Sequence, residues 1–266
     1  MTKRNQENEY PNISYEHELL AWISELDRYL VSAKITYALF GGGAVAGYIG
    51  QLPRKLHDLD LIVFPDQINA LIDFLSQNGF LETKSYKSDK ANFRKFTAER
   101  HIYQIITSIF PAEFKLLNFD DRRLPVLGTH DFSAAIRNST RKKINSVDTR
   151  TSVEVSVIPL EELIFSKLWP AFESNTVHDL LLLLACSAAN DLDVFSIEQH
   201  FRNSPLAHLS LETFERFCNV YQKTAWYGLT RESGKVDDTI NHLTSVLMRV
   251  HEPGESMIPR GSNGSR

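Results

Sequence analysis

Apolar residues return every three or four positions between Ser14 and about Ala33. Leu19, Leu20, Ile23, Leu26 and Leu30 form one stripe, which predicts a helix with Ser14 as its cap. The period then shortens. "KITYALF" (Lys34–Phe40) is rich in β-branched and aromatic residues and reads as a strand. Three glycines break it, "AVAGYIG" fits a short helix, and "LDLIVF" is a second strand. Asp66 stands where it can cap a helix over "QINALIDFLSQNG", which Gly79 stops. "NFRKFTAE" and "HIYQIITSIF" read as a hairpin turning near Glu99 and Arg100, and "SVEVSVI" as a further strand before a helix opened by Pro159. From about Thr176 every periodic segment is helical: "TVHDLLLLLACSAA", "SIEQHFRN", "SLETFERFCNVYQKTAWYGL" and "VDDTINHLTSVLMRV". Strands first and helices afterwards predict an α+β architecture. It has a mixed β-sheet domain with flanking helices over residues 13–158, a C-terminal helical domain over 159–251, and a flexible Gly/Ser/Pro-rich tail over 252–266.

Composition narrows the class only a little. The 266 residues suffice for one large or two small domains, and 42% hydrophobic with 23% charged residues is ordinary for a globular chain. A net charge of −4 excludes a generally cationic surface, so nucleic-acid contact needs a local basic patch. One such stretch is "RNSTRKK" (Arg137–Lys143), which reads as a solvated loop or as a contact for RNA phosphates. Cys186 and Cys218 sit in helical apolar patterns and read as buried free thiols. The polar N-terminus lacks an apolar signal core, and the longest apolar run is too short to span a membrane, so a cytoplasmic protein is expected. Tyr221, Trp226 and Tyr227 lie in one expected helix, as core residues or as an exposed aromatic patch for a partner.

The chemistry concentrates in "FGGGAVAGYIGQLPRKLHDLDLIV". Strand residues two apart share a face, so Asp58 and Asp60 point one way while Leu59, Leu61 and Val63 point the other. Two carboxylates about 7 Å apart repel unless a cation lies between them. Their hard oxygens suit Mg2+, which takes its remaining ligands from phosphates and water. A glycine turn leading into a helix lets backbone N–H groups approach phosphate oxygens. Metal on the aspartates and phosphates on the glycines describe a nucleoside triphosphate (NTP) site. His57, which alternates to the opposite face, reads as a packing residue.

This stretch resembles the signature of the polymerase-β-type nucleotidyltransferase superfamily: an apolar residue, a glycine pair, a spacer and Asp-x-Asp. Within it the chain looks most like the AbiEii-type toxin transferases and the small lincosamide and aminoglycoside nucleotidyltransferases. The resemblance covers about residues 35–185 and also includes "VIPLEELIFSKLWPAF" and "HDLLLLL". It implies that Gly41 and Gly42 form the turn and that Asp58 and Asp60 bind one or two Mg2+ ions. It also implies that Arg54 or Lys55 and Lys167 meet the triphosphate, and that Asp179 is a further acidic residue of the site. The family's usual Arg shortly before that second Asp is missing, with His178 in its neighbourhood.

The superfamily usually carries a third carboxylate on a neighbouring strand, and at the expected place in "HIYQIITSIF" stands Gln104. Glutamine can serve neither as a base nor as a strong Mg2+ ligand. Three readings stay open: Asp179 acts as the base, the protein binds nucleotide without transferring it, or Glu99 reaches the site from a shifted register. The resemblance implies transfer of a nucleoside monophosphate from an NTP to a hydroxyl of a tRNA, a protein or a small molecule, as in the toxin of a toxin–antitoxin pair. The alternative is a catalytically impaired protein of the same fold that binds nucleotide or a partner such as an antitoxin.

Overall fold

The computed structural model describes residues 13–54, 56, 58–85, 94–100, 103–111, 113–115, 129–148, 150–167, 174–186 and 192–203, together with 215, 218–219, 238, 240–245 and 248. The N-terminal segment, Lys55, His57, the aromatic trio Tyr221, Trp226 and Tyr227, and the tail lie outside them.

The first helix, α1 (Ile13–Ser32), starts one residue before Ser14, so that serine lies inside the first turn and is not the cap. Lys34, at φ 58°, ends the helix in a left-handed turn, and the Ile35 N–H returns to the Leu30 carbonyl at 2.8 Å. Strand β1 (Tyr37–Phe40) runs directly into α2 (Gly41–Ile49), and β2 follows at Leu59–Val63. A single 3-10 turn at Pro65–Gln67 precedes α3 (Ile68–Gln77). Asp66 falls inside that turn, and the described ends of the turn and of α3 carry no side-chain cap, so its expected capping role is corrected. Then come β3 (Leu81–Ser85), β4 (Arg94–Arg100), β5 (Tyr103–Pro111), β6 (Glu113–Lys115), β7 (Thr129–Asp131), α4 (Ser133–Arg137), β8 (Thr140–Asn145) and β9 (Ser152–Val157). Helices α5 (Leu160–Lys167), α6 (Ser174–Ala185) and α7 (Val194–Asn203) complete the described elements.

Among the described residues seven strands form one mixed sheet in the order β3-β4-β5-β2-β1-β9-β8, and β6 pairs with β7 separately. The expected hairpin is present as β4 antiparallel to β5. At the centre β2 runs antiparallel to β1 and parallel to β5, with Asp60 opposite Phe40 on one side and Ser108 on the other. The fold is therefore α+β with a mixed sheet and flanking helices. Helix α1 seals one part of the sheet with Trp22, which stacks on Phe80 at 4.5 Å between ring centres, while Tyr29 stacks on Phe74 of α3 at 3.7 Å. Helix α2 packs against β1, β2, β8 and β9 and also against α5 and α6. Leu163, Phe165, Leu180 and Leu183 are fully buried in the same apolar core as Leu39, Leu61 and Val157. The sheet and the helices that follow residue 159 thus share a hydrophobic interior.

The basic stretch Arg137–Lys143 is not the loop expected. Arg137 closes α4 with its guanidinium 5.5 Å from the centre of the Phe64 ring, and Thr140–Asn145 is the edge strand β8. Arg141 binds Asp27, and Lys142 lies over the Tyr48 ring. Three charges read as solvated therefore serve internal contacts, and a charged, half-exposed strand is what protects a sheet edge from further pairing. Cys186 and Cys218 are free, as expected, but half-buried, and burial pushes the Cys218 thiol up to about 11. Among the described residues no helix is long and apolar enough to cross a membrane.

Candidate functional site

The site is built where β1 turns into α2. Phe40 is extended (φ −128°, ψ 178°) and gives α2 no side-chain cap, so the first N–H groups of this nine-residue helix are not bonded to an Ncap side chain. Gly41 takes φ +57°, a left-handed conformation that costs any L side chain. A Cβ on Gly41 would overlap the Asp60 carboxylate oxygen Oδ2 and lie 3.3 Å from its Cγ. Glycine is thus required twice: for the turn, and for the space that the Asp60 carboxylate fills beside the helix start. Asp58 stands one residue before β2, and both aspartates are half-buried.

Gly42 serves a different neighbour. A Cβ there would lie 2.9 Å from Leu56 Cδ2 and 3.2 Å from the Arg54 guanidinium. Its bareness admits the loop between α2 and β2 against the helix start. Tyr15 of α1 fastens the same loop by donating its hydroxyl hydrogen to the Leu56 carbonyl. Burial, then the negative charge of Asp58, pushes that hydroxyl up to about 12, while Arg54 opposes the shift. The Tyr15 hydroxyl, Asp58 and Arg54 therefore share one electrostatic neighbourhood. Sequence reading missed Tyr15, although it extends the α1 apolar stripe one turn back from Leu19.

From the far side, α5 and α6 bring Lys167 and Asp179 to Arg54. Arg54 donates to Asp179 through Nε at 3.4 Å and through its terminal nitrogen at 3.1 Å, and Lys167 Nζ donates to the same carboxylate at 2.7 Å. Asp179 is 0% exposed, whereas the side chains of Arg54 and Lys167 keep 19% and 15% of their surface in solvent. His178, next in sequence, has its pKa lowered by burial first; Asp179 opposes the shift and Arg54 reinforces it. Arg54, Lys167, Asp179 and Gly42 are thus gathered at one place from a loop and three helices.

The residues proposed to replace the third carboxylate lie elsewhere. Gln104 pairs with Glu99 across the β4–β5 hairpin, whereas pairing of β5 with β2 begins at Thr107 opposite Leu59. Gln104 is four residues before Ser108, the partner of Asp60, about 13 Å along the strand. The backbone register thus corrects the expectation twice: Gln104 does not stand beside Asp60, and neither does Glu99. Asp179 has both oxygens engaged by cations, an arrangement unlike that of a base open to a substrate proton.

Asp60, seated at the start of α2, and Asp58, two residues earlier in the chain, offer two hard carboxylates, a donor set that fits Mg2+ completed by phosphate and water. Among the described residues no group of three or more His, Cys, Asp or Glu side chains converges on one point.

No protein-family model matches the chain, and no curated protein does. Solved structures similar to it include a lincosamide antibiotic adenylyltransferase with lincomycin bound, at TM-score 0.44 and 18% identity over 64% of this chain and 96% of that one. The antibiotic-resistance factor ANT(2'')-Ia matches at TM-score 0.46 and 13% identity, over 78% and 97%. An antigenic nucleotidyltransferase-like protein from Paracoccidioides brasiliensis matches at TM-score 0.41 and 17% identity, over 63% and 76%. With every score below 0.5, the chain's own geometry carries the functional reading.

Proposed function

We propose that the chain is a Mg2+-dependent nucleotidyltransferase of the polymerase-β type. The observation that carries this reading is the Asp60 carboxylate seated against left-handed Gly41, at the start of a helix whose N-cap residue, Phe40, offers no side-chain cap. An anion-attracting backbone and a cation-attracting carboxylate side by side suit a metal–triphosphate pair. Asp58 and Asp60 would hold the ion, which when bound lowers the charge on the phosphates. The start of α2 at Gly41 and Gly42, with Arg54 and Lys167, would hold the phosphate oxygens. In the transfer an acceptor hydroxyl oxygen bonds to the α-phosphorus, the bond to the β-phosphate oxygen breaks, pyrophosphate leaves, and the hydroxyl proton passes to water.

The test is incubation with each α-labelled NTP, with and without Mg2+, in the presence of total tRNA, a cell lysate, or small hydroxylated acceptors including antibiotics. Label entering one acceptor only with Mg2+, with pyrophosphate released, supports the proposal. The fraction that carries the label decides between a tRNA, a protein and a small molecule, and hence whether a toxin role is worth pursuing.

One observation favours a second reading. The residue paired with Asp60 on β5 is Ser108, so that register position holds no carboxylate. On this reading the protein binds Mg2+–NTP without transferring it and acts through a partner such as an antitoxin. NTP binding by calorimetry with no label transferred to any fraction would select it.

A further inference from the structure

The resemblance casts Asp179 as an acidic residue acting on the reaction, but its surroundings describe another task. Asp179 is fully buried on α6, with no oxygen to spare for a substrate: Arg54 takes both, and Lys167 shares Oδ2 at 2.7 Å. The two cations come from different elements, Arg54 from the loop before β2 and Lys167 from the last turn of α5. Like charges brought to one oxygen repel unless an anion lies between them, and a buried ion pair keeps its geometry only when its bonds are well made. The Arg54 guanidinium in turn lies 3.2 Å from where a Gly42 Cβ would stand, so whatever fixes Arg54 also fixes it at the start of α2.

We infer that Asp179 is a positioning residue. It is the buried counter-ion that holds Arg54 and Lys167 together, so that both cations face the triphosphate at the start of α2, and it takes no proton from the acceptor. This rests on the nucleotidyltransferase reading and deepens it. A base would leave triphosphate binding untouched when removed and would shape the pH dependence of turnover. A positioning counter-ion does the reverse.

The experiment measures binding of inorganic triphosphate with Mg2+ by calorimetry, which needs no knowledge of the preferred base or acceptor. The full chain is compared with Asp179→Asn. The expected result is a loss of triphosphate affinity of about tenfold or more, the scale of a charge-assisted hydrogen bond. In any transfer assay the residual activity should keep the parent's pH profile. Unchanged triphosphate affinity in a folded Asp179→Asn protein, with turnover lost and the acid limb of its pH profile gone, overturns the inference in favour of a base. Removing one member of a buried pair can unfold a protein. If Asp179→Asn does not fold, Asp179→Glu keeps the charge and moves it by one methylene. Weakened triphosphate binding in Asp179→Glu supports the inference, and unchanged binding overturns it. Should the parent protein itself bind no Mg2+–triphosphate, the functional reading fails, separately from the role given to Asp179.

Discussion

Asp27 and Asp179 are built alike and placed differently. Each is one carboxylate joined to two donors from distant parts of the chain. Asp27 on α1 accepts the Tyr37 hydroxyl from β1 and both arms of Arg141 from β8, at 2.5 and 2.9 Å. Asp179 accepts Arg54 and Lys167. The first cluster reaches the edge strand β8 with Arg141 42% exposed, and its donors tie α1 to β1 and β8, the strands on either side of the β9 that α1 packs against. The second is wholly buried at its carboxylate and abuts Gly42 at the start of a helix. Bond for bond the chemistry is nearly the same. Place decides the use: a charged cluster at a sheet edge can only fasten, whereas one beside a helix start and two aspartates can receive an anion.

The sharpest way to break the comparison is at the metal pair. Asp58→Asn or Asp60→Asn should lower Mg2+-dependent transfer by about a hundredfold or more, on the scale expected for disturbing a metal's ligand set, while the far-UV spectrum stays that of the parent. Near-parental transfer in either variant would remove the site from this end of the sheet. Gly41→Ala should come next in size. It must adopt φ +57° with a side chain and also displace the Asp60 carboxylate, so transfer should fall about tenfold, with roughly 1 kcal/mol of stability lost to the left-handed backbone. A thermal melt together with the transfer assay checks both parts. Gly41→Ala with parental activity would mean that the position of Asp60 against the glycine is incidental.

Arg141→Met sharpens the comparison from the other side. Exposure of the guanidinium discounts its ion pair, so the loss should be about 1 kcal/mol, which lowers the melting temperature by about 2–4 °C in a chain of this size. Affinity for Mg2+–triphosphate should not change. A fall in that affinity would show that the two clusters are not separate in function.

Much of the fold is legible in the sequence itself. Alternation in "LDLIV" and the break at the glycines placed β1, α2 and β2 because each obeys a local rule. The metal role proposed for Asp58 and Asp60 rests on their spacing, to which the structure adds that Asp60 lies in β2 and Asp58 one residue before it. What stayed hidden depends on register and on distance in sequence. No local pattern sets the offset of β5 against β2, so the sequence points to Gln104 where the register puts Ser108 opposite Asp60. The run "RNSTRKK" reads as a loop because all seven of its residues are polar or charged. Pairing of Thr140–Asn145 with β9, the burial of Ile144 and the internal partners of Arg141 and Lys142 make its second half an edge strand. Lys167 and Asp179 were singled out by resemblance, but that Asp179 joins Lys167 to Arg54, 125 residues away in sequence, is a tertiary fact. Tyr15 carried no signal beyond its place on an apolar stripe.

The smallest effect concerns pH and also separates the two clusters, since the buried one has His178 beside its carboxylate. Burial lowers the His178 pKa below its ordinary 6.5, against the pull of Asp179, so the folded protein holds this ring neutral at pH 7. The sign follows from the direction of the shift. Above about pH 6.5 the ring is neutral in both folded and unfolded chains and makes no pH-dependent contribution. As pH falls below 6.5 the unfolded chain takes up a proton that the folded one resists, so folding loses stability until the lowered folded pKa is passed. A charged His178 would also add a third cation to the neighbourhood of Arg54 and Lys167. His178→Gln should therefore flatten the part of the melting curve's pH dependence that lies just below pH 6.5 and leave pH 7.5 nearly unchanged. Melting temperatures of parent and variant at pH 7.5, 6.5 and 5.5 measure this directly. Parallel lines across the three would mean that the ring titrates alike in the folded and unfolded chains.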